Sequence, residues 1–233
     1  MNDIEANLSA ILHQMEQACR RCGRDPHSVR LIGVTKQVSV EKIRQAAAAG
    51  LRCFGENYVQ EGIRKIEALS DLYLEWHFIG RLQTNKVKHA VQRFSWIHTL
   101  DRLSLARELN KRAGNLGHRV SVLLQVHLGD EETKGGVAPD ELEALFDEAQ
   151  AMEWLEVRGL MAVPPYFEDP EAVRPFFRNL RQWLERLRLK ASHPERMTEL
   201  SMGMSHDFHV AIEEGATMIR VGTALFGPRT NRA

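Results

Sequence analysis

Cysteine is scarce, with three residues in a chain of 233. So small and odd a number in a chain this long is no disulfide framework, which excludes the small stapled domains of the secreted class. An excess of one charge is missing too: 31 lysines and arginines balance 31 aspartates and glutamates, so no global field draws the chain to nucleic acid or to a membrane surface. No apolar run is long enough to cross a bilayer. The amino-terminal stretch MNDIEANLSAILHQMEQACRRCGR is acidic and amphipathic, where a secretory signal would open basic and continue apolar. A cytoplasmic protein with no nucleic-acid and no membrane partner is expected. Cys19 and Cys22 form one C-x-x-C, but no second pair completes four metal ligands, and they read as two thiols on a helix face.

What is present fits one globular domain over residues 1–233, with 43% hydrophobic and 27% charged residues. Apolar periodicity predicts a leading helix over Ile4–Arg21. Short β-type runs follow at Val29–Val34, Leu51–Gly55, Trp76–Ile79, Ser95–Thr99, Val120–Val126, Leu155–Leu160, Met197–Ser201 and Met218–Val221. Helical patterns lie between them, among others Val40–Ala49, Tyr58–Ala68, Arg102–Ala113, Asp140–Met152, Glu171–Leu189 and Asp207–Glu214. Strands alternating with helices imply a parallel sheet, and eight units in one short domain close a (β/α)8 barrel. A doubly wound open sheet is the alternative. It would gather its chemistry in one crevice, whereas here polar groups follow strand after strand.

Those groups are Thr35-Lys36, Glu56-Asn57, Gly80-Arg81 with Gln83 and Asn85, His127, Met161–Pro164, Ser201–Ser205 and Arg220–Thr223. In a barrel they would ring one mouth. Lys36 caps an apolar strand; alone it reads as a surface lysine, but an amine held among barrel walls near a second cation has the lowered pKa that a Schiff-base lysine requires. The segments S-M-G-M-S and G-T-A-L-F-G follow strands seven and eight, where barrels often bind phosphate. Gly203 and Gly222 would let backbone approach an anion, with hydroxyls from Ser201, Ser205 and Thr223; otherwise both glycines serve tight turns. Arg220, between Ile219 and Val221, should face the barrel interior, and there it needs a phosphate, a ring acceptor or an acidic partner.

The segments G-V-T-K, F-G-E-N-Y-V-Q-E, W-H-F-I-G-R-L-Q-T-N-K, the run from His98 to Leu109, G-L-M-A-V-P, L-S-M-G-M-S-H-D and R-V-G-T-A-L-F-G, in order over nearly the whole chain, resemble the pyridoxal phosphate homeostasis protein family. That family is similar in fold to the barrel domain of alanine racemase, a fold-type III pyridoxal phosphate enzyme. The resemblance implies that Lys36 holds pyridoxal 5′-phosphate as a Schiff base, that Asn57 lies beside it, and that Ser201, Gly222 and Thr223 hold its phosphate. It further implies that Arg220 approaches the pyridine nitrogen, which weakens the ring as an electron sink. Met202, Gly203, Met204 and Ser205 belong to the same motif. The function so implied is non-catalytic: intracellular vitamin B6 homeostasis by a monomer that holds the cofactor and hands it to apo pyridoxal phosphate enzymes. The alternative is an amino-acid racemase or another enzyme acting at Cα.

Two departures bear on that choice. Many members carry proline shortly after the lysine where this chain has Ser39, a residue suited to capping the next helix, with Lys42 where a capping box wants an acid. The chain also stops at Ala233 with no β-rich second domain, from which racemases take a catalytic tyrosine, and Tyr58, Tyr73 and Tyr166 lie in no corresponding motif. Elsewhere, His206 and His209 have helical spacing but no recognisable further ligands, so no metal is expected. Lys134 reads as a loop charge, and Arg178–Lys190 as an outer helix with a charged face.

Overall fold

The computed structural model describes residues 3–129 and 135–228; the expectation for Lys134 falls outside them. The helices are α1 (Asp3–Arg21), α2 (Val40–Ala48), α3 (Val59–Ala68), α4 (Val87–Ala90), α5 (Leu103–Leu116), α6 (Leu142–Gln150), α7 (Arg174–Lys190), α8 (Phe208–Glu213) and α9 (Thr223–Phe226). The strands are β1 (Arg30–Val34), β2 (Cys53–Glu56), β3 (Glu75–Phe78), β4 (Trp96–Leu100), β5 (Val120–Val126), β6 (Leu155–Ala162), β7 (Glu199–Ser201) and β8 (Met218–Val221). The strands form a closed parallel barrel in chain order. Closure runs through Ile32 opposite Arg220 and Gly33 opposite Val221, so the open sheet is ruled out.

Each expected strand is present; β5 and β8 have the expected ends and the other six are shifted at one or both. Leu51 packs into the core from a loop, because its N–H goes to the Ala46 carbonyl and closes α2 instead of joining β2. The single helix expected over Glu171–Leu189 is a 3-10 turn at Pro170–Val173 followed by α7, whose Pro175 stands in the first turn, where a missing N–H costs nothing. Ser39 does cap α2, its Oγ accepting the Lys42 N–H at 3.4 Å, while the Lys42 ammonium reaches the Phe226 carbonyl at 3.0 Å.

Strand parity sorts the core into two bodies. Side chains pointing outward, such as Phe54, Phe78, Leu124, Leu160, Ile219 and Val221, join the helices in one large cluster. Those pointing inward, Ile32, Trp96, Leu123, Met161 and Met218, form a separate plug inside the barrel. The leading helix α1 buries Ile4, Leu8, Ile11, Met15, Ala18 and Cys19 along one stripe against α8, α9 and α2. Cys22, one turn on, donates its thiol to the Ala18 carbonyl, and both sulfurs are free thiols.

Candidate functional site

The plug leaves the C-terminal mouth of the barrel open to polar groups. Lys36 is half-buried at the end of β1, in a turn closed by the Val38 N–H on the Thr35 carbonyl. Gln37, the next residue, has φ of +61°, a left-handed conformation that L side chains adopt at a cost. The turn is pinned from α3. Lys65 Nζ donates to the Thr35 carbonyl at 2.5 Å, to Glu56 Oε1 at 2.6 Å and to Glu61 Oε1 at 2.7 Å. Glu61 in turn accepts the Gln37 N–H at 2.7 Å, and Thr35 Oγ1 donates to Glu56 at 2.7 Å. The peptide groups on both sides of Lys36 are thereby tied to α3. Glu56 is fully buried on this outer face, not in the mouth where its place at a strand end suggested it would lie. Burial raises its pKa, against the Lys65 ammonium and the Thr35 hydroxyl, which lower it.

By register, Lys36 stands between the end of β2, where Asn57 follows, and the end of β8, where Gly222 follows. Asn57 carries a buried side-chain oxygen with no hydrogen-bond partner. Its backbone is pressed against Gly80, where a Cβ would lie 2.1 Å from the Asn57 carbonyl oxygen. A cavity of about 870 Å³ opens beside it, lined by Asn57, Tyr58, Arg81, Asn85 and Arg102 among others. Arg81, Gln83 and Asn85 are exposed.

Arg220 faces inward as parity required. Its Nη1 donates to Ser201 Oγ at 2.7 Å and its Nη2 to the Ala162 carbonyl at 2.9 Å. Among the described residues it makes no ion pair, so the acidic-partner reading fails; Asp207 attracts it without pairing. Burial brings its pKa down to about 10, still charged at neutral pH. The structure joins Ser201 to Arg220 in the lumen and places Ser205 with the residues after β8: Ser205 Oγ lies 3.3 Å from Thr223 Oγ1 and accepts the Ala224 N–H at 3.4 Å. Met202 is buried in the outer cluster. Gly203, with φ of +89°, packs on α8, where a Cβ would lie 2.6 Å from that of Ala211.

Sequence reasoning missed two buried polar sets. One is the Lys65 cluster. The other is a pair of lumen histidines, His77 and His98, whose rings are bonded at 2.9 Å. The signal was available: His77 sits between Trp76 and Phe78 in a strand, as Arg220 sits between apolar residues, and His98 follows Ile97 in the next strand. Cys53, Glu75 and His77 bring potential metal-ligand atoms within 4.8 Å of one another. The Glu75 oxygen there already takes His77 Nε2 at 2.6 Å, with Arg30 at 3.6 Å. His206 is bound to the Glu168 carbonyl at 2.9 Å, and His209 packs edge-on to Phe208.

The model of the alanine racemase N-terminal domain matches residues 6–230. A pyridoxal phosphate homeostasis protein of Aquifex aeolicus is 51% identical over 229 residues, 98% of this chain and 99% of that one. One of Escherichia coli K12 is 41% identical over 232 residues, 98% of each. The structure of PipY from Synechococcus elongatus with PLP bound has a TM-score of 0.85 at 40% identity, covering 97% of this chain and 100% of that one. A D-threonine aldolase of Filomicrobium marinum, 14% identical with a TM-score of 0.72, covers 95% of this chain and 59% of its own, and shares the fold alone. No described helix is long and apolar enough to cross a membrane. The chain belongs to the pyridoxal phosphate homeostasis protein family, built on the alanine racemase N-terminal barrel.

Proposed function

We propose that this protein binds pyridoxal 5′-phosphate at the barrel mouth, holds it covalently through Lys36 Nζ, and serves intracellular vitamin B6 homeostasis as a carrier. The observation that carries this reading is Arg220, a guanidinium 4% exposed whose described partners are two neutral oxygens, on β8, the strand paired with the one that leads into Lys36. A buried cation so placed wants a further acceptor, and a pyridine nitrogen is one. The unpartnered Asn57 oxygen gives the fit test: the site holds a buried polar atom with an unmet bond, as a polar ligand would require. The cofactor's aldehyde supplies the electrophile. The protein's part is to hold the lysine turn, through Lys65 and Glu61, and to keep Arg220 charged.

Within the expected set, Ser201 is proposed to act through Arg220, because its hydroxyl is already shared between Arg220 and His98. The phosphate is then held by the Ser205 and Thr223 hydroxyls with the backbone at Gly222. Met202 and Gly203 shape the loop that carries Ser205.

A carrier fits better than an enzyme, since Tyr58, Tyr73 and Tyr166 are 59%, 98% and 71% exposed and so poorly placed as buried bases. The racemase-like barrel is what favours the alternative, a weak Cα-transforming activity. The carrier is proposed to work in the cytoplasm as a monomer and to deliver the cofactor to apo pyridoxal phosphate enzymes. Purified protein should be yellow, borohydride should fix the cofactor on one peptide containing Lys36, and Lys36→Ala should lose the colour. An unchanged spectrum in that variant refutes the assignment. Exchange of Cα hydrogen for solvent deuterium with turnover, abolished by Lys36→Ala, would favour the enzyme.

A further inference from the structure

Five side chains form a continuous string through the bore of the barrel. Glu75, the first residue of β3, has Oε1 2.6 Å from His77 Nε2. His77 Nδ1 lies 2.9 Å from His98 Nε2, and His98 Nδ1 lies 2.9 Å from Ser201 Oγ. Ser201 Oγ accepts from Arg220 Nη1 at 2.7 Å. The His98–Ser201 bond spans the lumen from β4 to β7, and neither residue, nor His77, has exposed surface. The string begins at the N-terminal end of the barrel, where Glu75 meets Arg30, and ends towards the mouth.

The proton positions follow from the end points. A carboxylate only accepts, so His77 Nε2 carries hydrogen, and a neutral imidazole has only one. His77 Nδ1 must then accept from His98 Nε2–H, His98 Nδ1 must accept from the Ser201 hydroxyl, and the Ser201 oxygen turns its lone pairs to Arg220. Both rings are kept neutral by burial, which pushes the pKa of His77 down and that of His98 well down. Glu75 is kept ionised mainly by its bond to His77, with Arg30 assisting, against burial. One charge at the base therefore sets every donor and acceptor up to the arginine.

We propose that Glu75, His77 and His98 are positioning residues for the cofactor site, fixing through Ser201 the direction in which Arg220 presents its remaining N–H donors to the mouth. This rests on the reading of that mouth as a pyridoxal phosphate site. With the string intact, the Ser201 hydroxyl is committed to His98, and Arg220 has a fixed acceptor on one side and the Ala162 carbonyl on the other. Break the string at its base and both rings can turn over their tautomers, so that His98 donates to Ser201 and the hydroxyl is free to swing.

Nitrogen-15 NMR of the histidine-labelled full chain, without cofactor, reads the tautomers directly. His77 and His98 should both show protonated Nε2 and bare Nδ1 at pH 7. In Glu75→Gln the amide can donate to His77, and both rings should move towards protonated Nδ1. The same variant should bind pyridoxal phosphate about tenfold more weakly, the effect of one charge-assisted bond, with a displaced visible absorption band. Ser201→Ala, which breaks the string near its far end, should weaken the cofactor similarly while leaving the His77 tautomer as it was; it keeps the test open if Glu75→Gln does not fold. Protonated His98 Nδ1 in the wild type overturns the proposal. So does a Glu75→Gln variant that turns the rings with no change in affinity, or changes affinity without turning the rings. Wild-type protein with the expected tautomers that binds no pyridoxal phosphate overturns the cofactor reading, and the positioning role with it, while leaving the proton order itself confirmed.

Discussion

Lys65→Met tests the anchoring of the lysine turn. Lys65 is 6% exposed and its ammonium makes three hydrogen bonds, two of them to carboxylates. Methionine matches the chain length but offers no donor, so Glu56, with no exposed surface, becomes an uncompensated buried charge. Removing one partner of a buried pair costs about 3–5 kcal/mol, which for a chain of this size lowers Tm by about 6–20 °C. Adding Glu56→Gln removes the stranded charge, and the new amide can donate to the vacated Thr35 carbonyl. The double variant should fall only about 1–3 kcal/mol below wild type, the cost of the hydrogen bonds alone. The sign with pH is fixed as well. In the single variant the folded-state pKa of Glu56, already raised, rises further, so the penalty is full at neutral pH and shrinks as pH falls towards the ordinary carboxylate range. Denaturant melts of the wild type, single and double variants at pH 5.5 and 8 decide it. A loss under about 1 kcal/mol at pH 8, or a double variant less stable than the single, would refute the reasoning.

Gly80→Ala should displace Asn57, because the new methyl would sit 2.1 Å from a backbone oxygen that cannot turn aside; about 1–3 kcal/mol of stability should go, and pyridoxal phosphate binding by equilibrium dialysis should weaken while other surface sites are unaffected. Gly203→Ala combines a φ of +89° with backbone of Phe208 at 3.0 Å, and a melt should show at least about 2 kcal/mol lost. Acid should destabilise the wild type through His77 and His98, whose folded pKa values are depressed: their contribution is complete above an unfolded value of about 6.5 and is lost as pH falls through and below it, at up to about 1.4 kcal/mol per pH unit for each ring. The groups facing them are Glu75, Arg30, Glu199, Arg220 and the Ser201 hydroxyl, and His98→Gln should flatten the slope of stability between pH 6.5 and 5.

The barrel was legible because each strand is a short apolar run and each outer helix carries one apolar stripe, local patterns that survive whatever the tertiary contacts. Arg220 was legible by the same parity, since its neighbours Ile219 and Val221 point outward. Strand ends were read less well. Thr35 and Glu56 end strands as Lys36 and Asn57 do, yet they turn to α3, because the partner that satisfies them, Lys65, lies on a helix whose packing no strand pattern reveals. Ser201 and Ser205 stand four residues apart in one motif, and only the fold sends one hydroxyl into the bore and the other to Thr223.

These two features share a cause, and it explains how the site is built. A parallel barrel strand presents alternate side chains to the lumen and to the helix layer, so a run of polar residues at a strand end serves both sides of the wall at once. On the outer side, Glu56, Glu61 and Lys65 hold backbone: the peptide groups around Lys36, including a left-handed Gln37 that would relax if released. On the inner side, Glu75, His77, His98 and Ser201 hold a side chain, Arg220. Each set ends in a carboxylate that accepts, and each holds groups with no exposed surface, Glu56 in the first and His77, His98 and Ser201 in the second, so neither can lose a partner without stranding a buried group. A cofactor gripped at its aldehyde by the first and at its ring by the second would be fixed by two independent frameworks, and a change in one should leave the geometry of the other standing. Lys65→Met should therefore lower the yield of borohydride-fixed cofactor without turning the His98 tautomer, and Glu75→Gln should turn that tautomer while leaving Lys36 open to fixation at saturating pyridoxal phosphate. If either variant moved both readouts, the wall between the two frameworks would not be the rigid partition that the closed barrel implies.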